Sequence, residues 1–143
     1  MKLATIGYEN DTLEGFLGRL KAAKVKTIID VRAVASSRKA GFSKSLLAAS
    51  LADQGIGYVH LRDLGTPKAG RQAARAGKIA AMHAIYEQQL ALPQAQLQLI
   101  QAGEIASREK SALLCFEADV CGCHRKIIAE RLQGSLGFAI ENI

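Results

Sequence analysis

Short, nearly continuous apolar runs alternate with segments of helical spacing along the whole chain, and this alternation limits the possible folds most strongly. Such runs are typical of strands in parallel sheets, which carry helices on both faces. They occur at residues 3–6, 25–31, 57–61, 111–115 and 137–143. The alternation predicts an α/β protein with a parallel, Rossmann-like sheet of about five strands flanked by helices. At 143 residues the chain has the size of a single α/β domain, residues 1–143.

Capping residues and glycines between these runs indicate where helices begin and end. Asp11 followed by Glu14 is typical of a capping box, and Gly55 is typical of the residue after a helix. The helices are expected to begin after Asp11, after Ser43, at residue 79, at Pro93 and at residue 126, and the fourth is expected to end at Gly103. Residues 64–71 and the basic positions just beyond them are expected to form a mobile connection.

The net charge of +6 is unevenly distributed, which bears on the partners of the protein. From Arg19 to Lys78 there are thirteen Lys or Arg residues and three Asp residues, whereas the remainder of the chain is slightly acidic. This asymmetry favours a polyanionic partner, although lysines on helix faces often serve only solubility. The chain has no apolar run long enough to cross a bilayer and no signal peptide, so we expect a cytoplasmic protein with no membrane partner.

The loop after the second predicted strand, residues 32–44, has the composition of an anion-binding segment. It carries four cationic side chains, three hydroxyl groups and a glycine. Arginine forks and hydroxyl groups at such a place suit phosphate oxygens, and the candidate ligand-binding residues are Arg32, Ser37, Arg38 and Lys44. The alternative is a solvated loop in which Arg32 only pairs with Asp30. His60, at the end of the third predicted strand, is a further candidate, with a structural histidine as the alternative.

All three cysteines of the chain fall in the segment 111–125, a predicted strand, loop and helix start. A Cys123 thiolate would be stabilised by the helix N-terminus and by Arg125, with Glu117 or His124 as the proton carrier. Cys115 is a candidate ligand contact at the strand end. The alternative is that these small side chains only pack in the core.

The same cysteines and histidine also suggest zinc, since thiolates and imidazole are its preferred ligands. The array Cys115-x5-Cys121-x-Cys123-His124 lacks the paired Cys-x2-Cys spacing of zinc knuckles. Cys123 and His124 are adjacent at a helix start and are expected to point apart. We therefore expect no metal ligands here, keep a zinc-binding structural domain as the weakest alternative, and identify no cofactor.

Several short motifs together resemble the domain of unknown function 488 family. They are Ile6-Gly7-Tyr8, Asp30-Val31-Arg32, Ser37-Arg38, residues 41–44, residues 55–61, Leu64-Gly65, Cys115-Phe116-Glu117 and Cys123-His124-Arg125. The resemblance covers essentially the whole chain. It implies a small α/β protein whose biochemical role is unassigned, with motif positions at Arg32, Ser37, Arg38, His60, Cys115, Glu117, Cys123, His124 and Arg125.

Together these features predict a cationic crevice for phosphate-bearing ligands, either a nucleotide or a nucleic acid. The guanidinium groups of Arg32, Arg38 and Arg125 are expected to converge there, because each follows a predicted strand end. Two classes of function stay open, a thiol- or acid/base-assisted enzyme and a non-catalytic nucleic-acid-binding module. The sequence indicates neither the substrate nor the oligomeric state.

Overall fold

The computed structural model describes residues 1–143, except for the side chain of Cys121. Its centre is one fully parallel sheet of five strands in the order β3-β2-β4-β1-β5. The strands are β1 (Lys2–Gly7), β2 (Thr27–Asp30), β3 (Gly57–His60), β4 (Ser111–Cys115) and β5 (Ala139–Asn142). The predicted fold class is confirmed, and each strand lies within or within one residue of a predicted apolar run.

Six helices flank this sheet and cover both of its faces. They are α1 (Leu13–Ala22), α2 (Lys44–Asp53), α3 (Lys68–Arg75), α4 (Ile79–Leu90), α5 (Pro93–Arg108) and α6 (Arg125–Leu136). One core cluster joins α1 and α2 to the sheet through residues such as Phe16 and Ile28. The other joins α4, α5 and α6 to the opposite face through residues such as Leu113 and Tyr86. Within the described part of the chain, no helix has the length and hydrophobicity needed to span a membrane.

Several predicted helix boundaries require correction. The N-cap of α1 is Thr12, whose hydroxyl accepts a hydrogen bond from the Gly15 amide, and Asp11 instead accepts from the Thr12 amide. α5 continues through Gly103 to Arg108, because Gly103 lets the helix pack closely against Leu132 and Leu136 of α6.

The segment predicted to be a mobile connection also differs, since much of it forms α3. The predicted positions of Gly55 and Pro93 are confirmed. Gly55 follows α2 with a positive φ of 73°, and Pro93 occupies the first turn of α5.

The carboxyl ends of β2, β4 and β1 lie side by side at the centre of the sheet. β4 lies between the other two, with Asp30 beside Leu114 and Gly7 beside Cys115. The segments that follow these three strands therefore meet at one edge, where open parallel sheets bind ligands.

Gly7 permits the closest backbone approach at this edge. A Cβ atom there would lie 1.8 Å from the Glu117 carbonyl oxygen. The Phe116 carbonyl in the same loop accepts hydrogen bonds from the Tyr8 and Glu9 amides, at 3.1 and 2.9 Å. The end of β1 and the loop after β4 therefore form one packed unit.

We predict that Gly7→Ala lowers the free energy of unfolding by about 3 kcal/mol, the upper end of overpacking costs, because the loop backbone has to move. Gly18→Ala is the matched control, since no atom lies within 4 Å of the added Cβ in the exposed middle of α1. It is expected to raise stability by about 1 kcal/mol through helix propensity. Urea unfolding measures both changes, and equal stability of the two variants would contradict this packing.

Candidate functional site

A cavity of about 660 Å³ opens at the carboxyl ends of β1, β2 and β4. Its wall is built from the segment after each of these strands, from α3, and from Met82 of α4. Six of the residues predicted for the site line it, namely Arg32, Ser37, Arg38, Cys115, Glu117 and His124. The other four, Lys44, His60, Cys123 and Arg125, do not line it.

A buried ion pair between Asp30 and Arg32 supports the cavity. Arg32 Nη2 lies 2.7 Å from Asp30 Oδ2, and Arg32 Nη1 donates to the Tyr8 hydroxyl and to the Phe42 carbonyl at 3.0 and 2.7 Å. The Tyr58 hydroxyl also donates to Asp30. Arg32 therefore forms the pair that the sequence offered as the alternative, and most of its donors bind protein atoms.

The electrostatics of this group follow from its burial and its charges. Burial works to lower the pKa of Arg32, but hydrogen bonds to Asp30 and the charge of its carboxylate raise that pKa well above its ordinary value. The pKa of Tyr58 is raised by burial and then by its hydrogen bond to Asp30. Arg32 therefore stays charged and Tyr58 stays protonated at neutral pH.

Four further cationic side chains line the cavity, Arg38 and Lys39 from the loop after β2 and Arg71 and Arg75 from α3. Among the described residues, none of the four forms an ion pair with a carboxylate. Arg71 donates to the Thr66 carbonyl at 2.9 Å, and Lys39 donates to the Glu9 carbonyl at 2.9 Å. In the part of the chain that the structure describes, these four cations outnumber the two acidic residues that line the same cavity, Glu9 and Glu117, and none of the four is bound to a carboxylate in an ion pair.

A cysteine–histidine cluster, Cys115, Cys123 and His124, lies at the inner end of the cavity. His124 Nδ1 is 3.6 Å from Cys115 Sγ and 3.7 Å from Cys123 Sγ. His124 Nε2 is 2.7 Å from the Val31 carbonyl, which only accepts, so Nε2 carries a proton and donates. In the neutral ring, Nδ1 then presents its lone pair to both sulfur atoms. The expectation that Cys123 and His124 point apart is wrong, because the turn before α6 directs both inward.

Cys123 has neither the exposure nor the pKa that a nucleophile requires. Its side chain is 1% exposed, and burial raises the pKa of its thiol well above the ordinary value, with Cys115 as the next cause. This direction is opposite to the lowered pKa expected from the sequence. Burial alone would lower the pKa of His124, but the Cys123 sulfur and the Val31 carbonyl raise it overall. Cys121 is the third thiol in the array that was weighed as a zinc site, and its side chain lies outside the described residues.

Glu117 lies beside Cys115 at the cavity wall. Its Oε2 accepts a hydrogen bond from the Cys115 thiol at 3.3 Å. Because Cys115 and Glu117 both line the cavity, a bound ligand would meet this pair first.

Arg125 holds the loop that carries Glu117. Its guanidinium donates to the backbone carbonyls of Glu117 and Ala118, and only 2% of the residue is exposed. The three guanidinium groups expected to converge are therefore divided, with Arg32 and Arg38 at the cavity and Arg125 behind the loop.

Two other predicted residues lie outside the cavity lining. His60 Nε2 is 2.7 Å from the Arg32 carbonyl and supports the backbone at the end of β2. Lys44 is exposed at the start of α2. Ser37 lines the cavity, and its hydroxyl accepts from the Lys39 amide at 3.1 Å, which orders the loop.

The sequence reasoning did not identify several cavity residues, notably Tyr8, Phe116, Arg71 and Arg75. Residues 69–76 contain four alanines, which favour a helix, and four-residue spacing places Arg71 and Arg75 on one helix face. That pattern could have identified α3. Tyr8 and Phe116 directly follow β1 and β4, so the strand ends could have identified them as well.

Comparison with known families gives one match. A model of the family described as Domain of unknown function DUF488 matches residues 12–132, most of the chain, so the resemblance noted in the sequence is confirmed. The chain matches no curated protein and no solved structure.

We predict that Cys115 in reduced, chelator-treated native protein reacts with iodoacetamide at least about tenfold faster than Cys123. Cys115 lines the cavity and is 6% exposed, whereas Cys123 does not line it and is 1% exposed, and the reaction requires access to the sulfur. Mass-spectrometric peptide mapping during labelling at neutral pH measures both rates. Unfolding in urea is the control and should make the rates similar. Faster native labelling of Cys123 would restore it as the nucleophile.

Proposed function

We propose that this chain, which belongs to the domain of unknown function 488 family, binds a small phosphate-bearing ligand of the mononucleotide class in the cavity. The observation that carries this proposal is the group of four cations without acidic partners, Arg38, Lys39, Arg71 and Arg75. Guanidinium groups are well suited to phosphate because their planar forks match two oxygens. Arg32 supports the cavity wall rather than the ligand, because its own donors already bind Asp30, Tyr8 and Phe42.

The size and chemistry of the cavity support a ligand with an organic part rather than inorganic phosphate alone. A volume of about 660 Å³ lies within the usual range for small-molecule sites. Phe116 and Val34 line the cavity and are 43% and 53% exposed. Phe116 offers an aromatic surface on which a base would stack, at a value of ~1–3 kcal/mol.

A non-catalytic nucleic-acid-binding module is the second class of function left by the sequence. Contacts to a duplex need cations spread along an extended surface, whereas these four surround a concave site. We therefore favour the small ligand. If the bound ligand undergoes a reaction, Cys115, Glu117 and His124 are the groups that face it, and Cys123 is not its nucleophile.

We predict that AMP binds to the full chain and that Arg71→Gln and Arg75→Gln each weaken binding about tenfold, as expected for loss of a charge-assisted hydrogen bond. Phe116→Ala is expected to weaken AMP binding by a similar factor without changing its salt dependence. Isothermal titration calorimetry at two salt concentrations measures these affinities.

Arg108→Gln, a change at the end of α5 outside the cavity, is the matched control and should bind AMP like the parent chain. Equal affinities of all variants, or no AMP binding at low salt, would contradict the proposal. Tighter binding of a DNA or RNA oligonucleotide, with a steep loss on adding salt, would favour the nucleic-acid-binding module instead.

A further inference from the structure

We propose that Cys115, Cys123 and His124 form a binding site for one divalent transition-metal ion, Zn²⁺ by ligand chemistry. The ion would bind to the two sulfur atoms and to His124 Nδ1. These three atoms all lie within 4.8 Å of one another, and all three residues are buried. This inference goes beyond ligand binding in the cavity and does not depend on it.

The two sulfur–nitrogen separations match those around a tetrahedral zinc ion, and the two sulfur atoms lie within 4.8 Å of each other. With Zn–S bonds of ~2.3 Å and a Zn–N bond of ~2.05 Å, tetrahedral geometry places sulfur about 3.6 Å from nitrogen. The observed distances from His124 Nδ1 are 3.6 Å to Cys115 Sγ and 3.7 Å to Cys123 Sγ. Both sulfur atoms therefore already lie at the distance from the ring nitrogen that a tetrahedral ion requires.

The hydrogen bond on the far side of His124 gives independent support. Metal-bound histidines usually donate their other ring N–H to a carbonyl or carboxylate, which fixes the tautomer and the ring orientation. His124 Nε2 donates to the Val31 carbonyl at 2.7 Å. This contact leaves Nδ1 as the lone-pair atom in the neutral ring, and Nδ1 is the atom directed at both sulfurs.

Among the residues whose side chains the structure describes, three supply ligands to this site. Cys115 and His124 line the cavity, and Cys123 lies behind them. Three protein ligands with a fourth position open to a cavity are typical of catalytic rather than structural zinc. Glu117 lies beside Cys115, also lines the cavity, and would accept a hydrogen bond from a water molecule in the fourth position.

Cobalt substitution tests the site with the metal alone, so its outcome is separate from that of the nucleotide experiment. The full chain is treated with a chelator, reduced, and titrated with Co²⁺. We expect one Co²⁺ per chain, a sulfur-to-cobalt charge-transfer band in the near ultraviolet, intense visible bands typical of tetrahedral cobalt, and displacement by Zn²⁺. Thiocyanate should shift the visible bands by entering the open position.

Variants identify the ligands. Cys115→Ser, Cys123→Ser and His124→Gln should each lower affinity by more than the 10- to 100-fold typical of outer-shell losses, with circular dichroism confirming that each variant is folded. Cys121→Ser and His83→Gln are the matched thiol and imidazole controls and should leave the cobalt spectrum unchanged.

A weak octahedral spectrum or no charge-transfer band in the parent chain would overturn the site, whatever the variants do. Loss of the spectrum in Cys121→Ser would overturn the assigned ligands. Visible bands that do not respond to thiocyanate would overturn the open fourth position.

Discussion

The buried ion pair of Asp30 and Arg32 is the interaction on which the cavity at the carboxyl end of the sheet depends. It joins the end of β2 to Tyr8 after β1, to Tyr58 of β3 and to the Phe42 carbonyl in the following loop. Asp30 is completely buried, so removing either charge would leave the other uncompensated, at a cost of ~3–5 kcal/mol. The pair therefore supports the cavity, and in the proposed function the ligand contacts come from more exposed cations.

Buried and exposed residues at this edge have different roles. Arg32 and Arg125 bind protein acceptors and fix the loops, whereas Arg71 and Arg75 extend from α3 without acidic partners. The cysteine–histidine cluster lies at the inner end, where the turn before α6 meets the end of β4. The cavity thus has four cationic side chains at its wall and the cysteine–histidine cluster at its inner end.

The apolar runs predict the sheet well, because burial on both faces is a local property of each strand. The apolar runs do not predict α3. This helix is mostly polar and has no apolar stripe that would distinguish its sequence from that of a loop. Within the site, the location of the residues after β2 and β4 can be predicted from the strand ends alone. The ion pair of Arg32 and the convergence of Cys123 with His124 could not be predicted in this way. Both depend on burial and on turn geometry, which the spacing of residues in the sequence does not specify.

Chemical-shift mapping tests most directly whether the cavity is the binding site. The full chain, labelled with ¹⁵N, is titrated with AMP and followed through its backbone amide signals. The account predicts that the largest shifts occur in the loop 33–39, in α3 and at residues 116–118. Shifts confined to the groove between α5 and α6, near Ile100 and Leu136, or the absence of any shift, would contradict it.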